Sequence, residues 1–345
     1  MAKKLGKISP DFIEMNPDYV DLGFAPLLKR RKPVYRFDGY DSRFYYTFSG
    51  PSAVGKPHIS ITSLSDKVLP KGAAFANWLK KYGEESDKIK FERAVFGTVF
   101  HRECMKPITG DDIVHGVGYD FDALDEITTG HTFINDRGDE QPCTRFHMMF
   151  PAELRAKASS WRMPFKKGLM SWFWFLKNDI ARIYAIELPL VHKRWELGGT
   201  TDMVADVIFR TKERRSIIDI KSFLMDPEQG IKKAFYDTHE FQLAGLKFIW
   251  ESQFPEYPIE MLFNWSPNAW VRGVPTYELK NQTDNRFLKV AKMGNKTMST
   301  FEMRFLAAKM EGILKPPTNV ADIYGKMESL ESFNYEGHYR EIKLI

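Results

Sequence analysis

Asp219 and Lys221 are the residues of this 345-residue chain whose types and spacing most directly suggest chemistry. They lie in the run Ser216-Ile-Ile-Asp-Ile-Lys-Ser-Phe223, which reads as a β-strand. Side chains alternate faces along a strand, so Asp219 and Lys221 share one face while Ile218 and Ile220 share the other. Apolar residues on both sides suggest an interior strand, where a carboxylate and an ammonium are costly unless paired or bound to metal. Taken alone, Asp-x-Lys in a strand is more often a solvated face with a salt bridge. Asp202 shifts that balance. It opens the preceding strand in Gly199-Thr-Thr-Asp202, seventeen residues before Asp219. Adjacent antiparallel strands joined by a hairpin bring two such carboxylates to one end of a sheet. With a backbone carbonyl and water they make a hard oxygen site suited to Mg2+ or Mn2+. A lysine beside that site stabilises charge and helps hold the attacking water.

Two further elements belong to the same constellation. Gly97-Thr-Val-Phe-His101 sits on a helical pattern. Glycine in mid-helix costs about 1 kcal/mol against alanine, so its presence suggests close packing against another backbone. His101 follows one turn later on the same face; by itself it would be read as a hydrogen-bonded core or boundary histidine. Gln242 lies in the helix after the Asp-x-Lys strand. Gly50-Pro-Ser-Ala-Val-Gly-Lys56, by contrast, imitates a phosphate-binding loop and is rejected. Pro57 replaces the hydroxyl that would bind magnesium, and a strand-like run follows where a helix should begin.

The elements that must position these residues can be read from periodicity. Residues 1–58 form an irregular N-terminal extension with short strands such as 43–48. Residues 59–180 are a helical region, with helices over 72–82 and 86–105, a loop-like stretch over 107–145 with an acidic patch at 120–126, and a helix over 151–179. The aromatic run 172–175 reads as core packing. Strands then follow over 183–195, 200–209 and 216–223, with turn chemistry at 197–199 and a charged hairpin at 211–215. A helix over 229–252, strands over 259–265 and 274–279, and a helix from 299 to 314 stopped by Pro316 and Pro317 complete the core of 181–345. An antiparallel meander followed by a crossover helix to another strand predicts an α/β fold, a mixed sheet flanked by helices.

Composition narrows the function classes. The chain is 43% hydrophobic and 28% charged, enough to bury a real core. It lacks an apolar run long enough for a membrane span, and Met1 to Lys7 lack the apolar run of a signal peptide, so a cytoplasmic setting is expected. Two cysteines, Cys104 and Cys143, cannot build a disulfide framework or a four-thiolate cluster within one chain. A net charge of +5 permits a local phosphate-binding stripe without requiring one. Lys29 to Lys32 is the densest basic cluster and reads first as a solvated turn.

The order G-T-x-x-H, G-x-x-D, D-x-K and a helical glutamine resembles the RecB-like branch of the PD-(D/E)xK nucleases, which includes phage and bacterial exonucleases and the mitochondrial genome maintenance exonuclease. Ser60-Ile-Thr-Ser-Leu64, Lys71 and Trp78-Leu-Lys-Lys-Tyr-Gly83 are similar to the segment that precedes the histidine motif in phage members. The likeness covers residues 58–265. It implies a restriction-endonuclease-like core and Mg2+- or Mn2+-dependent hydrolysis of DNA, exonucleolytic in preference, in phage recombination or genome processing. Asp202, Asp219, the carbonyl of Ile220 and His101 would ligate the metal. Lys221 would position the water, and Gln242 would organise the site or the strand. DNA ends or single strands are the implied substrate, and a single-strand annealing or binding protein the implied partner. Two departures stand out: the second acid is Asp219 where glutamate is commoner, and Leu246 replaces the usual aromatic four residues after the glutamine. The cysteines of CRISPR-adaptation relatives are absent, so no iron–sulfur cluster is implied. The rival readings are a structure-specific endonuclease on the same fold, a non-catalytic DNA-binding module, and a hydrolase of another phosphate ester.

Overall fold

Residues 180–220 are rich in Ile, Val and Leu and are interrupted by two short polar turns, the pattern of a strand meander. In the computed structural model this is what they form. The structure describes residues 13–15, 19–21, 23–28, 34–38, 42–47, 56–71, 73–106, 119–222, 237–293 and 296–312. In chain order the elements begin with β1 (Ile13–Met15), β2 (Tyr19–Val20), α1 (Ala25–Leu28), β3 (Val34–Asp38), β4 (Arg43–Thr47) and β5 (Lys56–Ser60). Helices α2 (Ile61–Val68), α3 (Ala73–Tyr82) and α4 (Glu85–Met105) follow, then β6 (Ile127–Ile134), β7 (Glu140–Thr144), α5 (Arg145–Met148) and α6 (Arg155–Asp179). The meander is β8 (Ile180–His192), β9 (Leu197–Phe209) and β10 (Lys212–Ile220). Last come α7 (Asp237–Gln253), β11 (Met261–Pro267), β12 (Tyr277–Asn281), β13 (Val290–Met293), β14 (Lys296–Ser299) and α8 (Thr300–Met310).

One mixed sheet organises the described residues, in the order β1-β3-β4-β5-β9-β10-β11-β12, with β8 also on β9 and β2 on β8. The meander is antiparallel, and α7 is the crossover that returns the chain to β11, parallel to β10. Helices cover both faces. On one face Val204 and Ile217 pack with Leu64 of α2, Leu243 and Leu246 of α7 and Phe301 of α8. On the other, Met203, Ala205, Ile218 and Ile220 pack with Phe96, Val99 and Phe100 of α4 and Phe165 and Trp172 of α6. The strict alternation of Ile217 and Ile218 between these two cores is the period of two expected of an interior strand.

Local chemistry sets the boundaries. Helix α8 begins at a reciprocal cap, in which Glu302 N donates to Ser299 Oγ at 3.2 Å and Ser299 N donates to Glu302 Oε2 at 2.7 Å. The β9–β10 turn is made by Arg210 and Thr211, at φ 49° and 65°. Two left-handed residues match the twist of a tight hairpin even though neither is glycine. Gly199 lets α7 and α2 lie against β9: a Cβ there would come within 2.8 Å of Leu246 and 3.3 Å of Ile61.

Three expectations are corrected. Residues 119–145 are structured, with a 3-10 turn at Ala123–Asp125 and the β6–β7 hairpin, because polar residues alternating in a two-stranded ribbon leave no apolar period to read. Leu197 to Gly199 lie within β9, and the turn falls earlier, at 193–196; the glycines serve close packing, not chain reversal. The strand read as 216–223 begins at Lys212 and ends at Ile220. Lys56 and Pro57 open strand β5, where a phosphate-binding loop would open a helix. Met1 to Lys7, the basic cluster at 29–32, residues 50–55 of the rejected loop, residues 107–118 and 229–236, and Pro316 and Pro317 lie outside the described residues. Among the described residues no helix is long and apolar enough to cross a membrane.

Candidate metal centre

The register of the meander builds the site. Ile186 pairs with Met203 and Leu188 with Thr201, which sets Glu187 opposite Asp202. Ile218 also pairs with Met203, so one step on Asp219 comes opposite Asp202. Asp219 pairs in turn with Asn264 of β11. Glu187, Asp202, Asp219 and Asn264 therefore form a row across four adjacent strands. Opposed residues of neighbouring strands have Cβ atoms about 5 Å apart, so the backbone itself brings Glu187 and Asp202 together and sets Asp219 beside them. Glu187 is further marked by φ 51°, a left-handed conformation within a strand. Such a conformation costs a residue with a Cβ about 1–2 kcal/mol and persists where the surroundings impose it.

Helices from opposite faces of the sheet complete the row. His101 comes from α4, and its Nε2 lies 3.3 Å from Asp202 Oδ2 and 3.4 Å from Glu187 Oε1. Gly97, one turn earlier, allows that approach: a Cβ there would sit 2.9 Å from Ser222 Oγ, just beyond β10. The partner is thus a side chain, not the backbone expected from the sequence. From α7, Gln242 Oε1 accepts from Lys221 Nζ at 3.3 Å. Lys221 Nζ also donates to Asp219, at 2.9 Å to Oδ1 and 2.8 Å to Oδ2. The Ile220 amide donates to Asp202 Oδ2 at 2.7 Å. In a strand the amide and carbonyl of one residue face the same neighbour, so the Ile220 carbonyl is directed to the β9 side as well.

Burial and crowding set the charges. Asp219 is 2% exposed; burial and the Asp202 charge push its carboxyl up to about 6, against Lys221 and Asn264, which hold it down. Burial also works to raise Asp202, yet His101, Lys221 and the Ile220 amide hold it below the usual carboxylate range. Burial would lower His101, but the charges of Asp202, Glu187 and Asp219 carry it up to about 9. The imidazolium thus sits between two carboxylates, as a cation would.

His101, Glu187 and Asp202 offer donor atoms that all lie within 4.8 Å of one another, close enough to share one ion. One imidazole nitrogen with two carboxylate oxygens is a donor set that can hold a divalent cation and does not by itself select which one. Of the residues singled out from sequence, His101 and Asp202 belong to this set. Asp219 stands beside it, tied to Lys221, and Gln242 bonds the lysine. Glu187 was missed. Its signal was a lone acid in the otherwise apolar run Ile183-Tyr-Ala-Ile-Glu-Leu-Pro-Leu-Val191. Asn264, a lone amide in Met261-Leu-Phe-Asn-Trp265, carried the same kind of signal. No protein-family model matches the chain, and neither does any curated protein.

Proposed function

We propose that the chain is a metal-dependent nuclease that hydrolyses phosphodiester bonds of DNA, working from ends. The observation that carries the reading is the row Glu187, Asp202 and Asp219 on three adjacent strands, with His101 over the first two and Lys221 bonded to the third. Carboxylates crowded in a partly buried row, with Asp219 fully buried, repel one another without a cation, and a structural salt bridge would need only one acid for Lys221. His101, Glu187 and Asp202 would hold the ion, with Asp219 and the Ile220 carbonyl beside it. A divalent cation there supplies a lowered pKa for bound water and screening of the phosphate oxygens.

The protein groups divide the remaining work. Lys221 spends its three N–H donors on the two oxygens of Asp219 and on Gln242, which holds its positive charge beside the ion site, where it would face a phosphate. Gln242 accepts from that ammonium and fixes its direction. The Ile220 amide locks one oxygen of Asp202, so the carboxylate cannot rotate away. The preference for DNA and for ends rests on the order of motifs, from Gly97-Thr-x-x-His101 to Gln242, that resembles RecB-like exonucleases.

The test is cleavage of end-labelled linear DNA and of closed circles, single- and double-stranded, in Mg2+, Mn2+ or EDTA. Wild type should release label from linear DNA with metal and leave circles intact. Asp202→Asn should release no label and should also leave circles intact. Cleavage that survives EDTA or the substitution would overturn the metal reading, and linearised circles would overturn the exonuclease reading.

A further inference from the structure

The geometry points to Asn264 and Gln282 as positioning residues that fix how Asp219 presents its oxygens to a cation; the inference rests on the metal-centre reading. Both are buried, at 0% and 5% exposure, and both lie on the side of Asp219 away from Asp202. Asn264 Nδ2 donates to Asp219 Oδ2 at 2.5 Å, and Gln282 Nε2 donates to Asn264 Oδ1 at 3.1 Å.

A side-chain amide has a donor end and an acceptor end of almost the same shape, so its neighbours decide which end points where. Here the neighbours agree. Lys221 carries only donors and meets both oxygens of Asp219, so Asp219 acts as an acceptor and Asn264 must offer it the NH2 end. That leaves the Asn264 oxygen buried against Gln282, which must supply a donor. The hydrogen bonds thus run in one direction, from Gln282 through Asn264 to Asp219. Both ends are anchored by backbone. Asn264 is in register with Asp219, and the Gln282 amide N–H bonds the Leu262 carbonyl at 2.8 Å. A charge-assisted bond from an immobile amide pins Oδ2. Oδ1, which only Lys221 contacts among the described hydrogen bonds, is the oxygen left to turn toward Asp202 and a shared ion.

Partners of this kind around metal ligands affect affinity by about 10–100-fold when removed. Gln282→Glu makes the sharpest test because two physical effects oppose each other. A glutamate cannot donate to Asn264; it accepts from Nδ2, turns the amide round, and sets its oxygen against Asp219. Mn2+ affinity should then fall by about tenfold or more. If only charge mattered, the added carboxylate would tighten Mn2+ binding instead. Asn264→Leu, which keeps the volume and removes the donor, should weaken Mn2+ by a similar factor, and Gln282→Met by less.

Mn2+ binding to the intact chain is measured by calorimetry without DNA. Melting in EDTA verifies that each variant folds, and Gln282→Met serves if Asn264→Leu does not. In parallel, the side-chain amide resonance of Asn264 is followed by 15N NMR in EDTA. It should be shifted as a donor to a carboxylate in wild type and move in Gln282→Glu. A Gln282→Glu protein that binds Mn2+ as tightly as wild type, or an Asn264 resonance that does not move, overturns the proposal. A wild type with no Mn2+ affinity overturns the metal-centre reading, and the Asn264 resonance then decides the hydrogen-bond relay by itself.

Discussion

Glu187 combines a charge facing His101 with a strained backbone, and two substitutions separate these contributions. Glu187→Gln keeps the shape and the φ of 51° but removes the charge. Glu187→Gly removes the charge and also the strain. With metal at a hundredfold excess over its dissociation constant, wild type should gain about 2.7 kcal/mol. Unfolding entropy near 2.1 cal/mol/K per residue gives about 0.7 kcal/mol/K for 345 residues, so that gain raises Tm by about 4 °C. Glu187 is one of three members of the donor set. If its loss weakens the ion about a hundredfold, the same metal concentration only equals the new dissociation constant, and about 0.4 kcal/mol remains. The Tm shift should then fall below about 1 °C in both variants. In EDTA the two should differ: releasing a left-handed residue is worth about 1–2 kcal/mol, and the entropy of an added glycine takes back about 0.5–1 kcal/mol. Glu187→Gly should melt about 1 °C above Glu187→Gln. Differential scanning fluorimetry with Mn2+, Mg2+ and EDTA reads all of this. A metal-induced shift in Glu187→Gln as large as in wild type would refute the carboxylate's role, and equal melting of the two variants in EDTA would refute the strain.

Three other outcomes follow from the same structure. Lys221→Met should abolish cleavage while changing DNA affinity by no more than about threefold, since one cation contributes little to backbone binding; electrophoretic shift beside a cleavage assay separates the two. His58 is fully buried beside Thr47 Oγ1 at 3.1 Å, and burial, followed by the Lys56 charge, lowers its pKa from 6.5 to about 4. Because the folded value lies below the unfolded one, its contribution is complete above pH 6.5 and is lost as pH falls toward 4, about 3 kcal/mol in all; denaturant titrations across that window should flatten in His58→Gln, and an unchanged slope would contradict the assignment. Replacing Arg210 and Thr211 by Asn and Gly should stabilise the hairpin by about 1–2 kcal/mol, since both turn residues are left-handed; a lower Tm in the double variant would count against it.

Much of the sheet was legible because its cause is local. Alternation of period two assigns Asp219 and Lys221 to one face and Ile218 and Ile220 to the other, and the structure places Ile218 and Ile220 in one core as expected. The meander, the crossover helix and the parallel return to β11 follow from the lengths of apolar runs and the polar turns between them. Helix α4 was visible from Phe96, Val99 and Phe100 at helical spacing. The β6–β7 ribbon was not visible, because its exposed strands bury too little to impose a pattern.

The site itself divides along the same line. The residue types and order of His101, Asp202, Asp219, Lys221 and Gln242 are written in the sequence, because each sits inside a recognisable helix or strand pattern. Their distances are not. Glu187 and Asn264 enter the row only through pairing register, and a slip of one residue in β8 would turn Glu187 to the other face. Register is decided by which apolar side chains fit together across the whole sheet, so it is a property of the packed core and not of any short segment. The same holds for His101. Its reach to Asp202 and Glu187 depends on Gly97 allowing α4 close to Ser222, a contact between residues 125 positions apart that only tertiary packing creates.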